Sequence, residues 1–384
     1  MWRKSVLSAV CAGNGTFEVV ARRIAAGQQH RSFTSTCQRN ANITTFTPTS
    51  SPDLDSLLQE IRHKIILPAY LPMDQRKKIY SVRWQKKLEA DPITIEIDGE
   101  VLKFRYLNPL KDIPGTRKSI EAALRQFNTP GDFANLKPLL EGIHYAGRKI
   151  DQNFYAKILR IIGGKGHIYD MIDCARSVRR TGYKIDSHEK ANELLLYVQL
   201  KARDADWDEA ETKQALRWAE MIVEMLQAKA HQPKRPKYEP VLPGEIPWVR
   251  DPMIQTAQLH LAAVLATRYE ASEELLAKVN KLAQDIVALW PEGKKLTELQ
   301  PAELYTDSEK LGYLLYPNKL LALGTPLLHG LETAAKVVEP ELASQLQTRA
   351  ATLAAEIKHA QDKMSLDESK RPRGREVYRK FYDA

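Results

Sequence analysis

The chain has 384 residues, 43% of them apolar, and a formal net charge of +9. That length supports a substantial buried core and more than one structural module. No run approaches the roughly 18 consecutive apolar residues of a membrane-spanning helix. Cys11, Cys37 and Cys174 form no CxxC pair, which leaves neither a disulfide framework nor a thiolate metal site. Cys174, inside a helical pattern, is expected in the core.

Residues 1–40 carry Arg3, Lys4, Arg22, Arg23, Arg31 and Arg39 against one acid, Glu18. An Arg-rich, acid-poor stretch with many Ser, Thr and Ala has the composition of a mitochondrial transit peptide. Arg31-Ser32-Phe33-Thr34-Ser35-Thr36 is similar to a matrix processing site, so cleavage is expected near Phe33. Loss of residues 1–33 would lower the formal charge from +9 to +5. Residues 41–53, rich in Thr, Ser, Pro and Asn, are expected to form a mobile linker.

A basic extension is expected over 54–115. It opens on a short helix with Leu54, Leu57, Leu58, Ile61 and Ile65 on one face. After Pro68 and Pro72 come Arg76, Lys77, Lys78, Arg83, Lys86 and Lys87, with Tyr80 and Trp84 interleaved at helical spacing. Cations mixed with aromatic faces suit phosphates and exposed bases. Over 93–106, Ile93, Ile95 and Ile97 alternate with polar residues, Asp98-Gly99 follows, and Leu102, Phe104 and Tyr106 resume the alternation. Asp-Gly between alternating runs predicts a type I′ hairpin, with Ile95 opposite Leu102 and Ile93 opposite Phe104. A lone hairpin is barely stable, so its apolar face must dock on a neighbour.

From 116 to 230 the spacing predicts helix pairs. Gly131 recurs at Gly166, Gly147 at Gly182 and Asp151 at Asp186, each 35 residues on. Lys149-Ile150-Asp151 reappears as Lys184-Ile185-Asp186, and Phe133, Leu136 and Ile143 fall in register with Ile168, Met171 and Val178. Helices are expected over 117–127 and 132–146, 152–163 and 166–181, 187–201 and 207–229. A period near 35 on a helix-forming background predicts a solenoid of helical hairpins. A Pro- and Lys-rich linker (231–247) then leads to a second α-helical block (248–366). Its helices are expected near 252–268, 271–290, 308–323, 325–337 and 340–363. A basic tail (367–384), a flexible strap holding Arg371, Arg373, Arg375, Arg379 and Lys380, ends the chain.

Catalytic and cofactor signatures are missing. No GxxxxGK[ST], GxGxxG, HExxH or GxSxG occurs, and the nine histidines do not cluster at ligand spacing. Gly163-Gly164-Lys165-Gly166 follows a helix rather than a strand and reads as a connector. Asp204, Asp206, Asp208 and Glu209 lack the EF-hand glycine and spacing and read as a solvated acidic loop. No enzyme, cofactor or metal site is expected.

The 35-residue register, the glycines at both ends of the second helix and the terminal Asp resemble the pentatricopeptide repeat family. Gly166 through Asp186 is the best single match, and the resemblance covers about 116–200. It implies a helical solenoid, frequent in organelles, that often binds single-stranded RNA one base per repeat. The implied reading position on the first helix falls at Ala156 and Ala191, with Asp151 and Asp186 at the terminal position. Alanine offers no donor or acceptor to a base edge. This favours a scaffold over a sequence reader.

In size and layout the chain also resembles fungal-type mitochondrial ribosome-associated proteins. The expectation is a structural component of the mitochondrial ribosome in the matrix, with rRNA and ribosomal proteins as partners and no small-molecule substrate. The expected RNA contacts are Arg76, Lys77, Lys78, Tyr80, Arg83, Trp84, Lys86, Lys87, Arg176, Arg179, Arg180, Arg371, Arg373 and Arg375. Such cations bind phosphate without reading sequence. The alternatives are a pentatricopeptide-type RNA-stability or translation factor, and an assembly factor for a respiratory complex.

Overall fold

The computed structural model describes residues 43–233, 241–307, 310–364 and 372–383. The expected transit peptide, the middle of the Pro- and Lys-rich linker and Arg371 lie outside these. The described chain is mainly α-helical with one two-stranded antiparallel sheet. Helix α1 (Pro52–Ile61) buries Leu54, Leu58 and Ile61 and runs on through a π turn and a 3-10 turn to Tyr70. Pro72 stops the run, and α2 (Met73–Ile79) and α3 (Gln85–Ala90) follow.

Strands β1 (Ile93–Ile97) and β2 (Glu100–Phe104) pair with Ile93 opposite Phe104 and Ile95 opposite Leu102, as the Asp-Gly turn predicts. Asp98 and Gly99 have φ of 53° and 80°, the left-handed pair that a type I′ turn requires. Leu102 and Phe104 are buried against Ile43, Leu67, Leu71, Ile79 and Leu88 in a small second core. The described part of the expected 41–53 linker is instead tied down. Ile43 N–H donates to Asp98, Thr47 N–H to Asn135 and Ser50 N–H to Asp132, at 2.9, 2.8 and 2.8 Å. These side-chain acceptors lie far along the sequence, so composition alone could not show them.

Six elements follow over the region of the first two expected pairs: α4 (Thr116–Gln126), α5 (Pro130–Phe133) and α6 (Leu136–Tyr145), then α7 (Gln152–Gly164), α8 (Ile168–Arg176) and α9 (Val178–Thr181). The third pair is α10 (His188–Asp204) and α11 (Glu209–Gln227). First helices touch in the order α4, α7, α10, and second helices in the order α6, α8, α11. Ion pairs one unit apart reinforce the order: Arg117–Asp151 at 2.6 Å, Lys157–Glu121 at 2.7 Å and Lys137–Asp173 at 2.8 Å. Gly147 and Gly182 play one role, each in the left-handed region (φ 67° and 70°) just past a second helix. Gly131 and Gly166 do not: the first lies inside α5, the second in the turn after α7 with φ 81°.

The carboxyl-terminal block contains α12 (Pro252–Arg268), α13 (Glu273–Leu289), α14 (Ala302–Thr306), α15 (Pro317–Ala334), α16 (Pro340–Asp362) and α17 (Arg373–Tyr382). The expected break near 324 is absent: α15 passes through Pro326 as one helix. Packing on α12, α16 and α17 outweighs the ladder bond that Pro326 cannot donate. The described end of the tail is α17, not a strap. It buries Val377 and Phe381, and Gly374 N–H donates to Asn318 at 2.7 Å.

Helix α10 lies where both halves meet, and it is buried on nearly every face, including Lys190, Asn192, Glu193 and Gln199. Glu193 is fully buried and takes a two-pronged contact from Arg373 of α17, with Lys319 of α15 at 3.1 Å and Arg160 of α7 at 3.7 Å. Burial pushes its carboxyl up, but the Arg373 hydrogen bonds and three cations overcome that and hold it below the usual 4.5. A short distance along the same helix, Gln199 meets His260 at 2.7 Å, which meets His329 at 2.8 Å. Burial holds both imidazoles neutral, His329 down to about 4.

Two predictions follow from this packing. Glu193→Gln leaves three cations facing a neutral group and should cost about 3–5 kcal/mol of unfolding free energy, read from the urea midpoint. Because the folded carboxyl lies below its unfolded value, its contribution is complete above pH 4.5 and fades as pH falls through the folded value. The variant should lack that acid-limb loss; an unchanged midpoint and acid limb would contradict the assignment. At Gly163, a Cβ would stand 2.4 Å from the Tyr197 ring, so α7 and α10 approach through this glycine. Gly163→Ala should destabilise by about 1–3 kcal/mol. The same change made in a Tyr197→Ala background should be neutral or stabilising; equal effects in both backgrounds would rule out the close contact.

Candidate nucleic-acid interface

The basic segment of 76–87 is built around the small second core. Ile79 and Leu88 are buried in the same small core as the hairpin residues Leu102 and Phe104, and Lys77, Lys86 and Lys87 of α2 and α3 face outward. Lys77, Arg83, Lys86 and Lys87 are exposed, and Lys78 is half-buried. Lys77, Arg83 and Lys86 have no ionic or hydrogen-bond partner among the described residues. Trp84 is half-buried, with the Lys78 ammonium 5.0 Å and the Lys87 ammonium 5.4 Å from its ring centre. Its indole therefore already serves two cation–π contacts and is not the free stacking platform that the sequence spacing implies.

Arg76 is partly committed to the fold. Its Nη2 donates to the carbonyls of Ala69 and Leu71, the latter at 3.2 Å, which closes the 3-10 turn. Tyr80 is half-buried, and burial pushes its phenol up while nearby Arg148 and Arg76 pull it back. Arg76, Tyr80 and Arg148 line one cleft of about 200 Å³. The first two come from the expected contact set; Arg148, at the turn after α6, does not.

The second group is split. Arg176 and Arg179 are exposed without a partner among the described residues, whereas Arg180 is paired with Glu141 at 2.8 Å. Within the same stretch Lys157 and Arg160 are held by carboxylates, and Lys165 donates to the Arg125 and Phe127 carbonyls at 2.7 and 2.5 Å. Lys165 thus caps the preceding first helix, which gives the Gly-Gly-Lys-Gly turn its connector role. The third group is corrected further. Arg373 is the latch on Glu193, Arg375 donates to the Met364 carbonyl at 3.3 Å, and Lys380 pairs with Asp204 at 2.6 Å. The Arg373 charge is spent inside the fold, whereas Lys380 is exposed in its ion pair and Arg375 is half-buried.

Neither implied base-reading position is open. Ala156 and Ala191 are buried, Asp151 caps α7 through Phe154 N–H at 2.7 Å and pairs with Arg117, and Asp186 pairs with Lys190. In the acidic loop, Asp208 caps α11 through the N–H groups of Ala210 and Glu211, at 3.0 and 3.2 Å. Trp207 of that loop is buried beside His260 and His329. The buried polar face of α10 is the feature that sequence reasoning missed. Its one signal is Leu194-Leu195-Leu196, three adjacent apolar residues that no single-faced helix would carry.

Residues 31–380 match the family described as Mitochondrial ribosomal protein mS27. The small ribosomal subunit protein mS27 of Neurospora crassa is 39% identical over 346 residues, spanning 86% of this chain and 87% of that protein. The chain belongs to the mS27 family of mitochondrial ribosomal proteins.

Proposed function

We propose that the chain is a non-enzymatic structural component of the small subunit of the mitochondrial ribosome, working in the matrix. Its stacked helical hairpins, in a pentatricopeptide-like solenoid, serve as a scaffold for neighbouring ribosomal proteins. Its exposed cations rest on rRNA phosphates. The observation that carries the scaffold role is the burial of Ala156 and Ala191 with both partner aspartates engaged inside the fold. A reader of single bases needs polar groups free at those places. Lys77, Arg83, Lys86, Arg176 and Arg179 are exposed without a partner among the described residues, and phosphate contacts by lysine and arginine need no base recognition.

In sucrose gradients of matrix lysate the chain should migrate with the small ribosomal subunit through moderate salt and leave it as KCl rises. The triple reversal Lys77→Glu, Arg83→Glu, Lys86→Glu should leave at a lower salt concentration than wild type. A light particle carrying one transcript would point to a free RNA factor. A light particle unaffected by RNase would point to an assembly factor, and either result would overturn the proposal.

A further inference from the structure

The cleft between the 65–80 region and the turn after α6 stands out among the described residues for charge that nothing balances. Ile65, Pro68 and Ala69 form one wall, Ala146 and Gly147 the other, and Arg76, Tyr80 and Arg148 supply the polar groups. No carboxylate lines it. Arg148 is exposed and has no partner among the described residues. Arg76 is held rigid by the Ala69 and Leu71 carbonyls through Nη2, while its Nε is buried with no hydrogen-bond partner. The walls are joined by Tyr70 and Tyr145, whose ring centres are 4.4 Å apart, so the cleft exists before any ligand arrives.

Two guanidinium groups facing one small space repel each other unless an anion lies between them. Fixed guanidinium N–H groups and a phenol are the donors that a tetrahedral oxyanion accepts. We propose that this cleft seats one phosphate of an RNA backbone, held between Arg76 and Arg148 with Tyr80 as a third donor. The choice of RNA rests on the ribosomal reading above, and the cation pattern supports it. Lys77 beside Arg76 and Lys149 beside Arg148 are exposed and unpartnered among the described residues. They extend the positive surface beyond the cleft. A ligand whose charge repeats along its length uses that surface; a single protein carboxylate does not.

The test uses the full chain, a fluorescent short oligouridylate and a short RNA duplex, with binding followed by anisotropy over a range of KCl. Arg148→Glu should weaken binding about five- to tenfold and lower the salt slope by about one. Arg148→Lys should recover most of the affinity. Because Arg148 is exposed, Arg148→Glu should melt as wild type does, which separates lost binding from lost folding. Unchanged RNA affinity in Arg148→Glu overturns the proposal. So does a result in which inorganic phosphate alone depends on Arg148, since the cleft would then serve a free anion. Weaker attachment to the subunit with unaltered RNA affinity would assign the cleft to a protein carboxylate, and also overturns it. If wild-type chain does not ride with the subunit but the Arg148 effect on RNA holds, the ribosomal reading falls and the cleft stands.

Discussion

The structure depends on a buried carboxylate. Glu193 lies on α10 with no exposure to solvent, and its charge is balanced by groups from three other helices: Arg160 of α7, Lys319 of α15 and Arg373 of α17. A lone carboxylate in an apolar interior is costly, and removing one partner of such a set leaves the rest uncompensated. Glu193 couples the two halves of the chain, alongside the Gln199–His260 and Asn192–Tyr313 hydrogen bonds. The repeat region supplies Arg160, and the end of the sequence supplies Arg373. Around this knot α10 is packed on all sides, by α7 and α11 of the repeat pairs and by α12, α15 and α17 of the carboxyl-terminal block.

This coupling sorts the basic residues into two kinds. Arg62, Arg160, Arg349 and Arg373 sit in the interior or at its edge and bind carboxylates or carbonyls of the same chain. Lys77, Arg83, Lys86, Arg176 and Arg179 project to solvent without such partners among the described residues. The second kind can neutralise an external polyanion without dismantling the fold. As a mitochondrial ribosomal protein, the chain works in the matrix beside rRNA and other ribosomal proteins. There, phosphate contact demands positive charge on a rigid support and nothing that tells one base from another.

Much of the local structure was legible because it follows from short-range rules. The Asp-Gly pair set the hairpin register residue by residue, and the apolar spacing placed α4, α7, α10, α11, α12 and α16 within a few residues of their bounds. What could not be read depends on contacts between distant parts of the chain. Residues 43–50 look like a linker by composition, yet Asp132 and Asn135, more than eighty residues on, hold them. A break is expected near 324, just before Pro326, yet neighbouring helices carry α15 through it. Arg373 of the tail looks free until Glu193 is seen to be buried opposite it. Charge counting along the sequence locates lysines and arginines but not the carboxylates that consume them. The 35-residue step was correct for Gly147 and Gly182 and coincidental for Gly131 and Gly166, because identity at a register position does not guarantee equal backbone geometry.

In the proposed role this helical array meets RNA through charge and does not read bases. The most direct measurement is the affinity of the full chain for two RNA strands of equal length and unrelated sequence, followed across a salt series. The account predicts equal affinities and equal, steep salt slopes for the two strands. A preference of about tenfold or more for one sequence, persisting at high salt where phosphate contacts are screened, would contradict it.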